Sequence, residues 1–305
     1  MNGPFRADFE REYGAHFIRL LENSLLVQDA RIIGDLVRES ELSVAYSKAA
    51  AACKTEFRGE TCNFYGLLKH MESTDRAERR EAFEKWAALY ADASAELDRI
   101  YDELVAVRAA MAEKLGFESY TALAYRNRQR LDYTPEHVEK FREQVRTVVT
   151  PAVARMFEAQ AKRLGVDKLR YYDESLVFPG GNAHPIGGKD DMLRAAAEMY
   201  GALSPETKEF FDFMTEHALF DLETRPGKHL GGYCTSLPAY KAPFIFSNFN
   251  GTAADVDVLT HEAGHAFQCY LSERLIPVSM LQSSTSEINE IHSMAMEFFT
   301  YPVDG

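Results

Sequence analysis

The chain has 305 residues, 46% of them hydrophobic, and a formal net charge of −13. That is enough apolar material for one large domain or two modest ones. Lys and Arg are scattered among the acids, which argues against a phosphate-binding face for nucleic acid, and no apolar run approaches the ~20 residues a membrane helix needs.

Taken in chain order, the sequence predicts helices over 8–26 and 29–53, then a hairpin through 55–63 that turns at Arg58 and Gly59. The stretch 17–27 is broken by Arg19, Glu22 and Asn23, and no segment reads as a signal peptide. A two-residue turn at Arg58 and Gly59 sets Cys53 opposite Phe64, so Cys53 and Cys62 are not expected to pair. Neither these nor Cys234 and Cys269 have CxxC spacing, so free thiols and a cytoplasmic location are the default expectation. After Ser73, read as an N-cap, a helical stripe runs from Phe83 through Trp86, Tyr90, Leu97, Ile100, Leu104 and Met111 to Leu115. It is closed by Gly116 and is long enough that a bend or division is expected.

Thr134, Pro135 and Glu136 form a cap, a first-position proline and a first-turn acid, which starts a helix running to Leu164 and Gly165. The segment 171–178 reads as partly extended, and 179–188 as a connector that lacks a phosphate-cradling fingerprint. Helices follow over 191–203 and, from the Ser204 and Pro205 start, to Leu222. Over 230–249 glycine, aromatic and β-branched residues predict two short strands. The paired Gly231 and Gly232 would let a peptide backbone come close.

A helix is predicted over 255–272, and it carries His261, Glu262, Ala263, Gly264 and His265. Histidines at i and i+4 share one helix face and can share one metal ion, with Glu262 beside them to act on a metal-activated water. Glycine inside a helix costs about 1 kcal/mol relative to alanine, so Gly264 implies a close neighbour. Catalytic zinc takes three protein ligands and keeps one position open. Gln268 and Leu271 stand where a metzincin has glycine and a third histidine, which excludes that class. Glu287, Glu290 and Glu297, on a helix predicted over 285–300, are all candidates, and their spacing does not choose among them.

The runs Tyr240–Phe244 to Asn250, Leu259–Gln268 and Glu290–Glu297 resemble the oligoendopeptidase F branch of the thimet-oligopeptidase-like zinc metallopeptidases. The resemblance implies a mainly α zincin-type fold with a small β-sheet at the cleft. It divides the chain into an N-terminal helical segment, 1–72, and a catalytic region, 73–305. It also implies one Zn²⁺ held by His261, His265 and Glu290, with Glu262 as general base. Gly231, Gly232 and Tyr233 would then belong to an edge strand lining the cleft, and Glu297 is a candidate acid behind a ligand histidine. The implied activity is endopeptidase cleavage of short oligopeptides.

Two departures bear on activity. Many relatives have histidine where this chain has Gln268. Members are also much longer, with a His and Tyr pair beyond the third ligand that stabilises the transition state, so the chain reads as the middle of such an enzyme. No substitute donor stands out within it; Tyr233, Tyr240 and His229 are conceivable ones, with a structural role the more ordinary reading of each. The alternatives are a fragment that binds zinc and peptide without efficient turnover, and a carboxypeptidase-type relative that removes terminal dipeptides.

Overall fold

The computed structural model describes residues 3–303. Its N-terminal half is helical: α1 (Arg6–Tyr13), α2 (Ala15–Val27) and α3 (Ile33–Ala52), the hairpin strands β1 (Thr55–Phe57) and β2 (Glu60–Cys62), then α4 (Phe64–His70) and α5 (Arg76–Leu115). The helices α6 (Tyr120–Asn127), α7 (Pro135–Gln144), α8 (Thr150–Leu164), α9 (Lys189–Leu203) and α10 (Pro205–Glu216) follow. A three-stranded sheet of β3 (Phe220–Glu223), β4 (Tyr233–Leu237) and β5 (Ala242–Phe249) leads into α11 (Ala254–Leu275) and α12 (Ser286–Thr300). The fold is thus mainly α with small sheets, and among the described residues no helix is long and apolar enough to cross a membrane.

Several expectations are corrected. The first predicted helix is two, broken at Gly14, whose φ of 86° leaves the helical region. Asp75, not Ser73, caps α5: its carboxylate accepts from the Ala77 N–H, while the Ser73 hydroxyl accepts from the Asp75 N–H. The long stripe does not divide; α5 runs unbroken for 40 residues because it contains neither glycine nor proline and is rich in Ala, Glu, Leu and Arg. Between α7 and α8 a π turn, Val145–Val149, absorbs Pro151, which has no N–H to donate back along the helix.

The segment at 171–178 is not extended. A 3₁₀ turn, Tyr171–Asp173, is held by a polar hub: Asp173 accepts from Arg76 and Arg79 at 2.8 Å each, and Gln160 Nε2 donates to the carbonyl of Leu176 at 2.7 Å. Helix α10 ends at Glu216 rather than at Leu222, and residues 220–223 form β3. Gly231 and Gly232 precede β4 instead of lying in it, and Gly231 has φ 97°.

Strand β5 lies between β3, parallel to it, and β4, antiparallel in the register Tyr233↔Phe246 to Leu237↔Ala242. A central strand covered on both faces is expected to be mostly apolar, and Ala242, Ile245 and Phe249 are buried in the largest core cluster, while Ser247 and Asn248 near its end are buried polar residues. That cluster also takes Phe210, Phe211 and Met214 from α10, and Leu259, Ala263, Ala266 and Tyr270 from α11. A second cluster joins Phe57, Phe64, Leu67 and Met71 to Ala82 and Leu89 of α5, so a core runs across the junction at residues 72 and 73.

Candidate metal centre

Helix α11 has two working faces. Leu259, Ala263, Ala266 and Tyr270 bury one stripe, while His261, Glu262, His265, Gln268, Cys269, Ser272 and Glu273 line a cleft of about 680 Å³. Strand β4, at the sheet edge, forms one cleft wall with Gly232 to Ser236, and Asn289 and Glu290 of α12 contribute to another. The start of α11 is fixed by Asp255, whose carboxylate accepts from the N–H groups of Asn250 at 3.1 Å and Gly251 at 2.7 Å.

Helix α12 packs directly against α11, and Gly264 makes this possible. A Cβ at that position would sit 2.6 Å from the Ser293 Cα and 3.1 Å from the His292 carbonyl oxygen. The close neighbour that a mid-helix glycine implied is therefore the backbone of α12.

This approach brings one carboxylate to both histidines. Glu290 Oε2 lies 3.1 Å from His261 Nε2 and 3.7 Å from His265 Nε2, and one ligand atom from each of the three residues falls within 4.8 Å of the others. Glu297 Oε1 is 2.6 Å from His261 Nδ1, so that nitrogen donates to the carboxylate and Nε2 presents its lone pair to the cleft side. Glu287, the remaining candidate, is ion-paired to Arg130 instead. Burial pushes the His265 pKa down, with opposing attraction from Glu290, which favours the neutral imidazole that a metal requires.

Glu262 is 7% exposed, and its Oε2 is buried without a hydrogen-bond partner. Burial pushes its pKa up; the neighbouring His261 and the backbone N–H of Cys234 oppose that, and Glu290 adds to it. An unpartnered carboxylate oxygen next to two imidazoles and a second carboxylate is costly unless something occupies the space between them. Two imidazole nitrogens and one carboxylate oxygen form a donor set that zinc accepts with a coordination position left open, so the residues present fit the ion.

Tyr233 lines the cleft and stacks on Phe246 at 4.9 Å between ring centroids, and Gly232 lines it too, whereas Gly231 borders a neighbouring cavity. Of the other conceivable donors, the His229 ring is 3.2 Å from the Ser47 hydroxyl, and Tyr240 is exposed away from the cleft lining. A second group, Glu60, Cys62 and His70, also brings ligand atoms within 4.8 Å, but Glu60 is paired with Lys69 and His70 Nδ1 with Glu78 at 2.7 Å. The sequence reading missed Glu273 in the cleft wall, although it stands eight residues beyond His265 on the same helix face.

The model of peptidase family M3 matches residues 69–177 and 207–303. The chain belongs to peptidase family M3. Solved structures carry the likeness over nearly its whole length. A protein assigned as oligoendopeptidase F is 46% identical with a TM-score of 0.97, covering 99% of this chain and 53% of that one. Another protein so assigned, from Bacillus anthracis strain Ames, is 44% identical with a TM-score of 0.96, covering 99% of this chain and 55% of its own. PZ peptidase A, solved with an inhibitor, is 45% identical with a TM-score of 0.97 over 99% of this chain and 54% of its own. The resemblance to oligoendopeptidase F read from the sequence is borne out, and this M3 chain spans about half the length of those relatives. No curated protein matches it.

Proposed function

We propose that this chain carries the metal centre of a zinc-dependent endopeptidase acting on short oligopeptides. His261, His265 and Glu290 would hold the ion and Glu262 would be the general base. Glu297 would orient His261, and Gly232 and Tyr233, with Gly231 just before them, would flank the bound peptide. The observation that carries the reading is the convergence of three donor atoms within 4.8 Å beside the buried, unpartnered Oε2 of Glu262. Bound zinc would polarise the scissile carbonyl and acidify the attacking water.

The chain's own residues then have distinct tasks. Glu262, whose pKa is raised by burial, takes the proton of the attacking water and passes it to the leaving amine nitrogen. Glu297 accepts from His261 Nδ1 and so fixes the tautomer and the ring plane. The edge of β4 offers main-chain groups along which an extended peptide can lie. The four cysteines are unpaired, which supports a reducing, cytoplasmic setting.

A quenched fluorescent peptide with blocked ends, incubated with zinc-loaded protein, tests the reading. Internal cleavage that disappears in Glu262→Gln while zinc content is retained supports it; equal cleavage by both proteins would overturn it. Release of terminal dipeptides alone, read by mass spectrometry, would point to the carboxypeptidase-type activity.

One observation favours a second reading. The chain covers about half of its relatives, and of the three substitute oxyanion donors only Tyr233 lines the cleft. A fragment that binds zinc and peptide without efficient turnover would bind the peptide in the same experiment and leave it uncut. One missing oxyanion donor costs about 3–4 kcal/mol of transition-state stabilisation in other hydrolases.

A further inference from the structure

Beyond the donor set and Glu262, the cleft holds one more carboxylate. Glu273 lies on α11 eight residues past His265, about 12 Å along the helix axis. It is 9% exposed; its Oε1 accepts from the Ser236 hydroxyl of β4, and its Oε2 is buried with no hydrogen-bond partner. Among the described residues no Lys or Arg lines the cleft. Arg274, next along the helix, is committed elsewhere: its Nη1 donates to the carbonyls of Lys241 at 2.7 Å and Tyr270 at 3.0 Å, and its guanidinium lies 3.5 Å from the Tyr270 ring centroid. The remaining lining near Glu273 on the two walls, Ser236, Cys269, Ser272 and Gln282, is uncharged.

A carboxylate so buried, whose donors are the Ser236 hydroxyl and the weakly donating Cys269 thiol and which has no counter-ion, is unfavourable unless a cation or a stronger donor reaches it. Resting on the peptidase reading above, we infer that Glu273 is a subsite for a cationic group of the peptide, the ammonium or guanidinium of a Lys or Arg side chain. An extended peptide advances about 3.3 Å per residue, so 12 Å places that residue about three to four positions from the bond cut at the metal centre. Glu273 would thus select basic oligopeptides through a charge-assisted hydrogen bond inside the cleft, where salt screens little. A free peptide amino terminus has the same chemistry, and the test separates the two sources.

The experiment uses zinc-loaded chain carrying Glu262→Gln, so that peptide is not consumed, and reads fluorescence anisotropy. N-acetylated peptides differ only at a residue three or four positions to either side of the central bond: Lys, Nε-acetyl-Lys or norleucine; a further norleucine peptide has a free amino terminus. Tighter binding of one Lys peptide, tenfold or more over its acetyl-Lys counterpart, supports the subsite when Glu273→Gln reduces the difference to under twofold. If instead only the free-amino peptide gains affinity, the cation comes from the chain terminus and the side-chain assignment is overturned. Equal binding of all the peptides overturns the subsite, while Glu262-dependent cleavage by the parent chain leaves the peptidase reading standing. Binding of none, together with no cleavage, overturns both. Should Glu273→Gln fail to fold by circular dichroism, the Lys against acetyl-Lys comparison in the Glu273-containing protein still decides.

Discussion

Glu297 Oε1 stands 2.6 Å from Nδ1 of His261, while His261 Nε2 stands 3.1 Å from Glu290 Oε2 on the same helix α12. One helix therefore supplies both the carboxylate that orients the imidazole and the carboxylate that faces its other nitrogen. Glu297→Gln keeps the shape of the side chain but removes its charge. It is expected to weaken zinc binding by about 10- to 100-fold, the usual effect of losing a carboxylate behind a ligand histidine. Competition with a chromogenic chelator measures this; an unchanged affinity would assign Glu297 to packing alone.

Gly264 tests whether the α11–α12 approach is a condition for the site. In an isolated helix Gly264→Ala would gain about 1 kcal/mol, yet overpacking a tight contact typically costs about 1–3 kcal/mol and occasionally more. Here the new Cβ meets the Ser293 Cα at 2.6 Å and the Met296 Cβ at 3.0 Å, and backbone cannot rotate aside. A net loss of about 2 kcal/mol in urea unfolding is expected, at the upper end of that range after the propensity gain. Zinc affinity should fall as well, because α12 carries Glu290 and Glu297. Stability lost with zinc affinity intact would uncouple the packing from the site.

The i, i+4 histidines and the mid-helix glycine were legible because both are local features of one helix. The choice among Glu287, Glu290 and Glu297 was not, since all three share a face and only distant partners separate them. Arg130 takes Glu287 from 157 residues away, and His261 takes Glu297 across the helix interface. Strand β3 was hidden for a different reason. The helix before it ends at Glu216, and the turn that follows passes through Ala218, which adopts φ 50° without the glycine that usually marks such a turn, so the helical pattern seemed to continue to Leu222. The break at Gly14 did carry its signal, and the apolar periodicity on either side masked it.

Asp173 ties the loop after α8 to the start of α5. The residue is fully buried; burial alone would push its pKa up, but hydrogen bonds from Arg76, Arg79 and the Arg170 N–H hold the carboxyl below its usual range. A depressed carboxylate pKa contributes stability that is present above the unfolded value of about 3.9 and is lost as pH falls through the folded one. Asp173→Asn leaves Arg79, 3% exposed, without its charge partner, and breaking a buried pair in this way costs about 3–5 kcal/mol. Urea titrations at pH 7 should show that loss. Between about pH 5 and 3 the stability of the variant should fall less steeply than that of the parent chain. Parallel acid limbs for the two proteins would mean that another carboxylate controls the slope.

Zinc should act on the folded chain as a stabilising ligand, because Glu290 and the two histidines come together only through the α11–α12 contact. At a free zinc concentration of 100 times Kd the expected gain is about 2.7 kcal/mol, visible as a higher Tm that EDTA reverses. Glu290→Gln should remove most of the shift, whereas Glu287→Gln, whose partners are Arg130 and Tyr133 rather than the two histidines, should retain it. Protons compete for the same nitrogens, so the zinc-induced shift must shrink as pH falls. Burial holds the His265 pKa down, so this imidazole stays neutral, and available to the ion, further into the acid range than an exposed histidine would. Thermal melts with and without zinc from pH 8 to pH 5 give the whole comparison. An equal Tm shift in Glu290→Gln, or a shift that grows on acidification, would place the ion somewhere other than His261, His265 and Glu290.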